Sequence, residues 1–193
     1  TTSPDGAPVT LTLHPDERHQ TMAGFGAAIT DASAYLIQTK MTPEARKALL
    51  TELFSRKTGM GFSVTRVTIG ASDFSQSHYS LADTAGQAKA DIRSVRRHII
   101  PTLKAIRAIN PDLAIMASPW SAPAWMKSSN SLITGRLKPE HYDDFARYLV
   151  SYSMAMAKAG VPINYLTIQN EPHFEPADYP GMRVEPAERA AFV

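Results

Sequence analysis

Short apolar runs alternate along the chain with segments whose apolar residues recur at helical spacing. Four of these runs have the length and composition of strands, and they begin near residues 22, 62, 113 and 163. Helical patterns alternate with these runs, and one of them fits Pro43 to Ser55. An earlier run, Val9 to Leu13, alternates with a period of two residues and predicts a half-buried strand near the N-terminus.

Three of the predicted helices have identifiable first residues. Thr42 stands before Pro43, which is typical of a helix start because threonine caps well and proline fits the first helical position. Asp31 is predicted to cap the helix that follows the first strand. Pro101 interrupts a helical pattern that runs from Ile92 to Ile106, so the main helix there is predicted to start at Pro101.

The alternation of strands and helices predicts the fold class. Continuous apolar strands that each precede a helix are typical of an α/β protein with a parallel sheet covered by helices. Two architectures fit this order: an open doubly wound sheet, or part of a (β/α)8 TIM barrel. Successive strands begin about 40 to 50 residues apart, so eight strands would need a chain about twice as long as these 193 residues. The sequence therefore predicts at most the N-terminal half of a barrel, with two open sheet edges.

Composition and charge narrow the classes of function. Lys and Arg total 20 against 18 Asp and Glu, and no basic run stands out, which argues against nucleic acid or an anionic membrane as a partner. The absence of cysteine excludes disulfide scaffolds, cysteine-ligated metals and thiol nucleophiles. No apolar run approaches the roughly 18 residues that a membrane span needs. The polar start, Thr1 to Gly6, lacks the features of a signal peptide and is expected of a mature secreted protein or a trimmed chain.

Polar and aromatic side chains follow the predicted strands. Asp73 follows the second strand, Trp120 the third, and Asn170 with Glu171 the fourth. Ligands of parallel α/β folds bind at the carboxyl ends of the strands, so these residues are expected to converge on one surface. They suit a sugar, whose rings stack on aromatic planes and whose glycosidic bond needs paired carboxyl groups. Since the chain has no phosphate-binding glycine fingerprint, no H-E-x-x-H pattern and no G-x-S-x-G elbow, no cofactor or metal is predicted.

Each candidate also has a purely structural interpretation. Trp120 could plug the rim of the sheet, and Asp73 could cap a turn in the long polar loop of residues 70–87. Arg66 differs, because a charge within an otherwise apolar strand is costly unless it is paired, and it predicts a nearby carboxylate. Glu171 directly follows a buried strand and precedes a proline, which favours a position that faces the site over a solvated one.

Four ordered segments of the chain read GFGAAITDA at residues 24–32, ASDFS at 71–75, ASPWSAPAWMK at 117–127 and TIQNEP at 167–172. Together they resemble glycoside hydrolase family 30, which includes lysosomal glucosylceramidase and bacterial and fungal β-glucanases. Asn-Glu-Pro alone is shared by many retaining glycosidases, whereas the tryptophan segment together with Asp-Phe-Ser is much more specific.

The resemblance implies a role for each candidate. Glu171 matches the family's general acid/base, and Asn170 matches the residue that hydrogen-bonds the substrate's 2-hydroxyl and steadies the nucleophile. Asp73 and Trp120 match residues that hold the sugar in the first subsite, and Arg66 matches an arginine near the nucleophile. The implied reaction is retaining hydrolysis of a β-linked glycoside by two carboxyl groups about 5 Å apart.

The second of these carboxyl groups is not assigned. The family's nucleophile lies at the seventh barrel strand, and none of the later glutamates follows a strand: Glu175, Glu185 and Glu188. The resemblance makes residues 1–20 a strand segment of a side β-sandwich and residues 21–193 the first half of the barrel, about four βα units. The nucleophile is then expected from a second polypeptide or from a C-terminal half.

Two functions stay open. The leading hypothesis is the acid/base half of a secreted or periplasmic retaining β-glycosidase of the β-glucosidase, glucosylceramidase or β-glucanase type, with a role in carbohydrate or sphingolipid metabolism. The alternative is a nucleophile-free fragment that binds carbohydrate or a partner protein without catalysis. The four ordered matches disfavour a third possibility, an unrelated α/β domain with a chance Asn-Glu-Pro.

Overall fold

The central sheet consists of parallel strands whose order in the sheet is their order in the sequence. This computed structural model describes residue 6 and residues 8–192. The strands are β1 (Gly26–Ala28), β2 (Val64–Ile69), β3 (Ala114–Pro119) and β4 (Tyr165–Leu166), and every neighbouring pair is parallel. Consecutive parallel neighbours build the wall of a barrel, whereas a doubly wound sheet reverses its strand order at a switch point. The α/β prediction is confirmed, and the strand order is that of part of a TIM barrel.

The helices follow the strands as the alternation predicted. They are α1 (Asp31–Thr39), α2 (Pro43–Phe54), α3 (Ile99–Ile109), α4 (Tyr142–Lys158) and α5 (Pro186–Phe192), with short 3₁₀ helices at Ala124–Met126 and Pro139–His141. Within residue 6 and residues 8–192, none of the helices has the length and apolar character that crossing a bilayer requires.

The predicted helix starts are partly correct. Thr42 caps α2 as predicted, because its hydroxyl accepts the N–H of the third helical residue at 3.2 Å. Asp31 is wrong as the cap of α1, since Thr30 makes the equivalent bond and Asp31 is the first helical residue. The third helix starts at Ile99, before Pro101, because the N–H groups of a first turn have no helical acceptor and proline costs nothing there.

Two strand predictions need correction. Val9 to Leu13 forms no strand, and Leu11 and Leu13 are 83% and 88% exposed. A strand needs a neighbour for its backbone groups, and the sheet in the described part of the chain contains only β1 to β4. The strand predicted from Ile163 is also shorter, with regular pairing confined to Tyr165–Leu166.

The two faces of the sheet have different surroundings. On one face, strand residues such as Val67 and Ile115 are buried in a single apolar core with side chains of α1 to α4. On the other face, Arg66 of β2 and its register neighbour Met116 of β3 are only partly buried. A complete barrel fills this inner face with side chains from all its strands. The face that carries Arg66 is therefore open.

Both edges of the sheet are open as well, as predicted. All residues of β1 are exposed, and Tyr165 and Leu166 of β4 are 47% and 44% exposed. β1 lies so close to β2 that a Cβ on Gly26 would come within 1.5 Å of the carbonyl oxygen of Val64, so only glycine fits there. Open edges present backbone groups to which another strand can bond.

Candidate active site

Arg66 is the residue around which the candidate site is assembled. Its Nη2 donates a hydrogen bond to Oδ1 of Asn170 at 2.7 Å. Its guanidinium carbon lies 4.7 Å from the centre of the Trp120 ring, within the range of a cation–π contact. Side chains from β2 and from the segments after β3 and β4 are thus in direct contact, as the strand-end argument predicted.

A cleft of about 200 Å³ lies beside this contact, and Arg66, Asp73 and Trp120 all line it. The turn bonds of the loop after β2 are made by serines, because the hydroxyls of Ser72 and Ser75 accept backbone N–H groups there. Among residue 6 and residues 8–192, no hydrogen bond reaches the carboxylate of Asp73. This arrangement argues against a turn-capping role and presents an acceptor to a ligand in the cleft.

Glu171 does not directly follow β4, which ends at Leu166; it lies in the loop after that strand, next to Asn170. The backbone N–H of Asn170 donates to the carbonyl of Pro119 at 2.8 Å, and this bond holds the segment after β4 beside the end of β3. Nδ2 of Asn170 donates to Oε2 of Glu171 at 3.3 Å. The side chain of Glu171 is exposed. It is thus joined through the Asn170 amide to Arg66 and the cleft.

The charges of the site meet at Arg66. Burial lowers the pKa of the Arg66 guanidinium, and the negative charges of Glu171 and Asp73 oppose this change. Both carboxylates therefore act on Arg66, but the direct partner is the amide oxygen of Asn170. The predicted nearby carboxylate is thus present, although an amide oxygen and an aromatic face, not a carboxylate, contact the guanidinium directly.

The backbone of Glu171 is strained. Its φ is 46°, in the left-handed region that only glycine adopts without cost. Strain of this kind accumulates at functional sites, where the surrounding structure holds a side chain in a required direction. The residue with this strained conformation directly precedes Pro172.

Glu171→Gly should be more stable than Glu171→Ala. Both variants remove the carboxylate, but only glycine relieves the left-handed strain. After subtraction of glycine's larger entropy loss on folding, we expect a difference of about 0.5 to 1 kcal/mol in the free energy of unfolding. Urea denaturation of the two variants measures it, and equal stabilities would mean that the backbone at position 171 relaxes without cost.

Two residues near the site were not singled out from the sequence. Partial desolvation and then the charges of Asp73 and Glu171 raise the pKa of Tyr179, so the phenol is within the electrostatic influence of both carboxylates. Gln169 is buried, and its Nε2 donates to the carbonyls of Trp120 at 2.7 Å and of Met182 at 3.1 Å. Tyr179 lies in a loop without periodicity. The position of Gln169 one residue before Asn170 was the only available indication of its role.

Trp125, the second tryptophan, has a structural role. Its Nε1 donates to the carbonyl of Ala82 at 2.8 Å, and its ring packs edge-on against His141 at 4.9 Å between ring centres. It therefore joins the loop after β2 to the segment before α4. Of the two tryptophans, only Trp120 lines the cleft.

Comparison with known proteins identifies the family of this chain. The family model described as the glycosyl hydrolase family 30 TIM-barrel domain matches residues 22–180. The chain belongs to glycosyl hydrolase family 30. The matched range contains every residue of the candidate site, from Arg66 to Tyr179.

The relatives of this family 30 chain include glucanases and a glucosylceramidase. It is 33% identical to the endo-1,6-β-D-glucanase neg1 of Aspergillus fumigatus over 90% of this chain and 40% of that protein. It is 33% identical to the lysosomal acid glucosylceramidase of Mus musculus over 86% of this chain and 34% of that protein. The solved structure of the endo-β1,6-glucanase BT3312 matches with 40% identity and a TM-score of 0.89, over 94% of this chain and 42% of that one.

These coverages show that the family 30 chain spans about two fifths of the length of the proteins it matches. The predicted resemblance is therefore correct, and the partial barrel agrees with the part of the relatives that is matched. These coverages do not by themselves assign the substrates or reactions of the full-length relatives to this chain.

Proposed function

We propose that this chain supplies the acid/base half of the active site of a retaining β-glycoside hydrolase. The observation that carries the proposal is the hydrogen bond between Arg66 and Asn170, because it joins Glu171 to the cleft lined by Asp73 and Trp120. Proton donor, sugar platform and acceptor thus belong to one connected surface at the carboxyl ends of the strands.

In this reaction, Glu171 starts as a carboxylic acid and protonates the glycosidic oxygen as the bond to the anomeric carbon breaks. A second carboxylate attacks the anomeric carbon to form a glycosyl-enzyme, and Glu171 then removes a proton from the water that hydrolyses it. Trp120 offers a face for the sugar ring, and Asp73 an acceptor for its hydroxyls.

Arg66 also determines the orientation of the Asn170 side-chain amide in the site. A guanidinium carries only donors, so the Asn170 atom bonded to Arg66 must be the amide oxygen. The amide nitrogen then points towards Glu171 and the open side of the site. Arg66 therefore presents Asn170 as a donor, which is what a sugar hydroxyl or a nucleophilic carboxylate requires.

We propose that the nucleophile comes from a second polypeptide or from the remaining half of the barrel. The later glutamates have partners of their own: Glu175 accepts the Gly135 N–H, Glu185 binds Arg136 and Arg183, and Glu188 accepts the Glu185 N–H. The open sheet edges and the open inner face are the surfaces on which the missing strands would pack.

Reconstitution tests this proposal. The chain is mixed with a polypeptide that carries the later barrel strands of a family 30 enzyme, and release of nitrophenol from a nitrophenyl β-glucoside is followed. Turnover by the mixture, with none from either polypeptide alone, is expected. Turnover by the homogeneous 193-residue chain would contradict the half-site proposal.

The second candidate function is binding without catalysis. Two observations favour it. The described residues form a cleft that suits a sugar, and the glutamates after Glu171 are all bonded to groups outside that cleft. A mixture that shows no turnover, together with saturable binding of a β-glucoside by the chain alone, would favour this alternative.

Trp120→Ala should weaken sugar binding by about 1 to 3 kcal/mol, because the ring supplies the stacking face of the cleft. NMR titration of the chain with methyl β-glucoside measures the loss. Trp125→Ala is the matched control, and it should lower stability with little effect on the sugar. Unfolding caused by Trp120→Ala would instead support the interpretation of Trp120 as a rim plug.

The proposal also includes a substrate class and a cellular location for the protein. The relatives are named as endo-1,6-β-glucanases and glucosylceramidases, so we propose a β-1,6-glucan or a glucosylceramide as the substrate. We also propose a secreted or periplasmic location and a side β-sandwich to which residues 1–20 belong. Fractionation of the source cells tests the location.

A further inference from the structure

Lys127 is a buried cation without a carboxylate partner in the described part of the chain. It is 0% exposed, and its Nζ donates to the carbonyl of Leu132 at 2.8 Å and to that of Gly181 at 2.7 Å. Leu132 lies in the loop after β3, and Gly181 in the loop after β4. The ammonium group therefore joins the two loops that carry Trp120 and Glu171.

The loop after β4 is closed at its base, close to Glu171. The N–H of Val184 donates to the carbonyl of Pro172 at 2.8 Å, and Nε2 of Gln169 reaches the carbonyl of Met182 at 3.1 Å. Gly181, which accepts from Lys127, directly precedes Met182. Displacement of Gly181 would therefore be transmitted to both residues that flank the Asn170–Glu171 pair.

An apolar side chain of similar length could fill the space of the lysine stem without the cost of a buried charge. Desolvation of this kind is expensive unless hydrogen bonds compensate for it. Burial lowers the pKa of Lys127 to about 7, and the negative charge of Glu175 opposes this change. The hydrogen bonds to the two carbonyls offset only part of this cost, and they are what the polar end of the side chain adds to an apolar stem.

We propose that Lys127 is a positioning residue that clamps the loop after β3 to the loop after β4 and so fixes the position of Glu171 relative to the cleft. The effect of Lys127 on catalysis rests on the proposed function of Glu171. The joining of the two loops by Lys127 does not depend on that function. The two parts are therefore tested separately.

The absence of cysteine from the sequence permits a clean test of the clamp. Lys127→Cys is alkylated in the unfolded state with bromoethylamine, which rebuilds an ammonium on a side chain of nearly the original length. Alkylation with bromopropane gives an apolar side chain of the same size. After refolding, hydrogen exchange of the Gly181 and Val184 amides is compared between the two forms by NMR.

The apolar form should exchange these amides about tenfold faster or more than the ammonium form, because a hydrogen bond from a charged donor has been lost. The same pair of modifications at Lys158, an exposed residue at the end of α4, should give no difference. Equal exchange in the two forms at position 127 would overturn the clamp.

A measurement without substitution covers the case in which the apolar form does not refold. In the unsubstituted chain, the Nζ protons of Lys127 should exchange slowly with water and show couplings through the hydrogen bonds to the carbonyl carbons of Leu132 and Gly181. Exchange as fast as that of an exposed lysine, without such couplings, would overturn the proposal.

The positioning role is tested in the reconstituted enzyme. Lys127→Met should lower kcat about tenfold or more on a glycoside with a poor leaving group, with little change in KM and a much smaller loss on a nitrophenyl glycoside. Equal losses on both substrates would overturn the positioning role. If Glu171→Gln shows no dependence on the leaving group, the proposed function fails instead, while the exchange result for the clamp stands.

Discussion

Glu171→Gln should slow the cleavage of a β-linked disaccharide by the reconstituted enzyme about 10²- to 10⁴-fold, the usual contribution of a general acid. A glutamine cannot deliver a proton to the glycosidic oxygen, so a poor leaving group must depart as an unstable alkoxide. A dinitrophenyl β-glucoside needs no such proton and should form the glycosyl-enzyme at nearly the original rate. The measurement is the ratio of kcat/KM for the two substrates in the wild type and the variant.

Glu175→Gln is the matched control for this experiment. Glu175 lies in the same loop as Glu171, but its carboxylate accepts the N–H of Gly135 away from the cleft. Its replacement should not change the ratio between the two substrates. Equal losses on both substrates in Glu171→Gln would contradict the role of Glu171 as the acid.

Local patterns predicted most of the fold. The apolar runs placed β2 and β3 within two residues of their observed starts, and the Thr42–Pro43 pair located the start of α2. These elements are predictable because local sequence and burial agree for them. Val9 to Leu13 has the pattern of a strand but no neighbour among the described residues, and a strand depends on pairing that its own sequence does not contain.

The candidate site was predictable only in part. Glu171, Asp73 and Trp120 were identified because strand ends converge in parallel α/β folds, and the resemblance supplied their roles. The bond between Arg66 and Asn170 joins residues that are 104 positions apart, and no local pattern indicates which group satisfies the arginine. The predicted nearby carboxylate is present, but the direct bond to Asn170 was not predictable from the sequence.

The residues that support the site are harder still to predict. Gln169 and Lys127 act through backbone carbonyls, which every residue carries and which leave no trace in composition or spacing. Lys127 is a charged residue in a segment that also contains surface positions, so its complete burial becomes apparent only in the folded chain.

The burial of Lys127 predicts a dependence of stability on pH. The pKa of Lys127 falls from its ordinary value of 10.5 to about 7 in the folded chain. Between these values the unfolded chain binds a proton that the folded chain does not, so the free energy of unfolding rises with pH. The contribution is complete above the unfolded pKa and is lost as the pH falls through about 7.

Lys127→Met should abolish this rise. Over the full interval from about 7 to 10.5, the free energies of unfolding of the two proteins should diverge by on the order of 5 kcal/mol, at about 1.4 kcal/mol for each unit of pKa. Urea denaturation of both proteins from about pH 6 to about pH 9.5 covers most of the interval and stays below the ordinary pKa of tyrosine. The wild type should gain stability relative to Lys127→Met as the pH rises.

Lys158→Met controls for the loss of a positive charge as such, because Lys158 is exposed at the end of α4. Its stability curve should run parallel to that of the wild type. If the curve of Lys127→Met were parallel to both, Lys127 would keep its proton throughout the range, and its hydrogen bonds to the two carbonyls would compensate for the burial of its charge. A rise confined to the wild type and Lys158→Met would show that the folded chain holds Lys127 at the boundary between its charged and neutral forms.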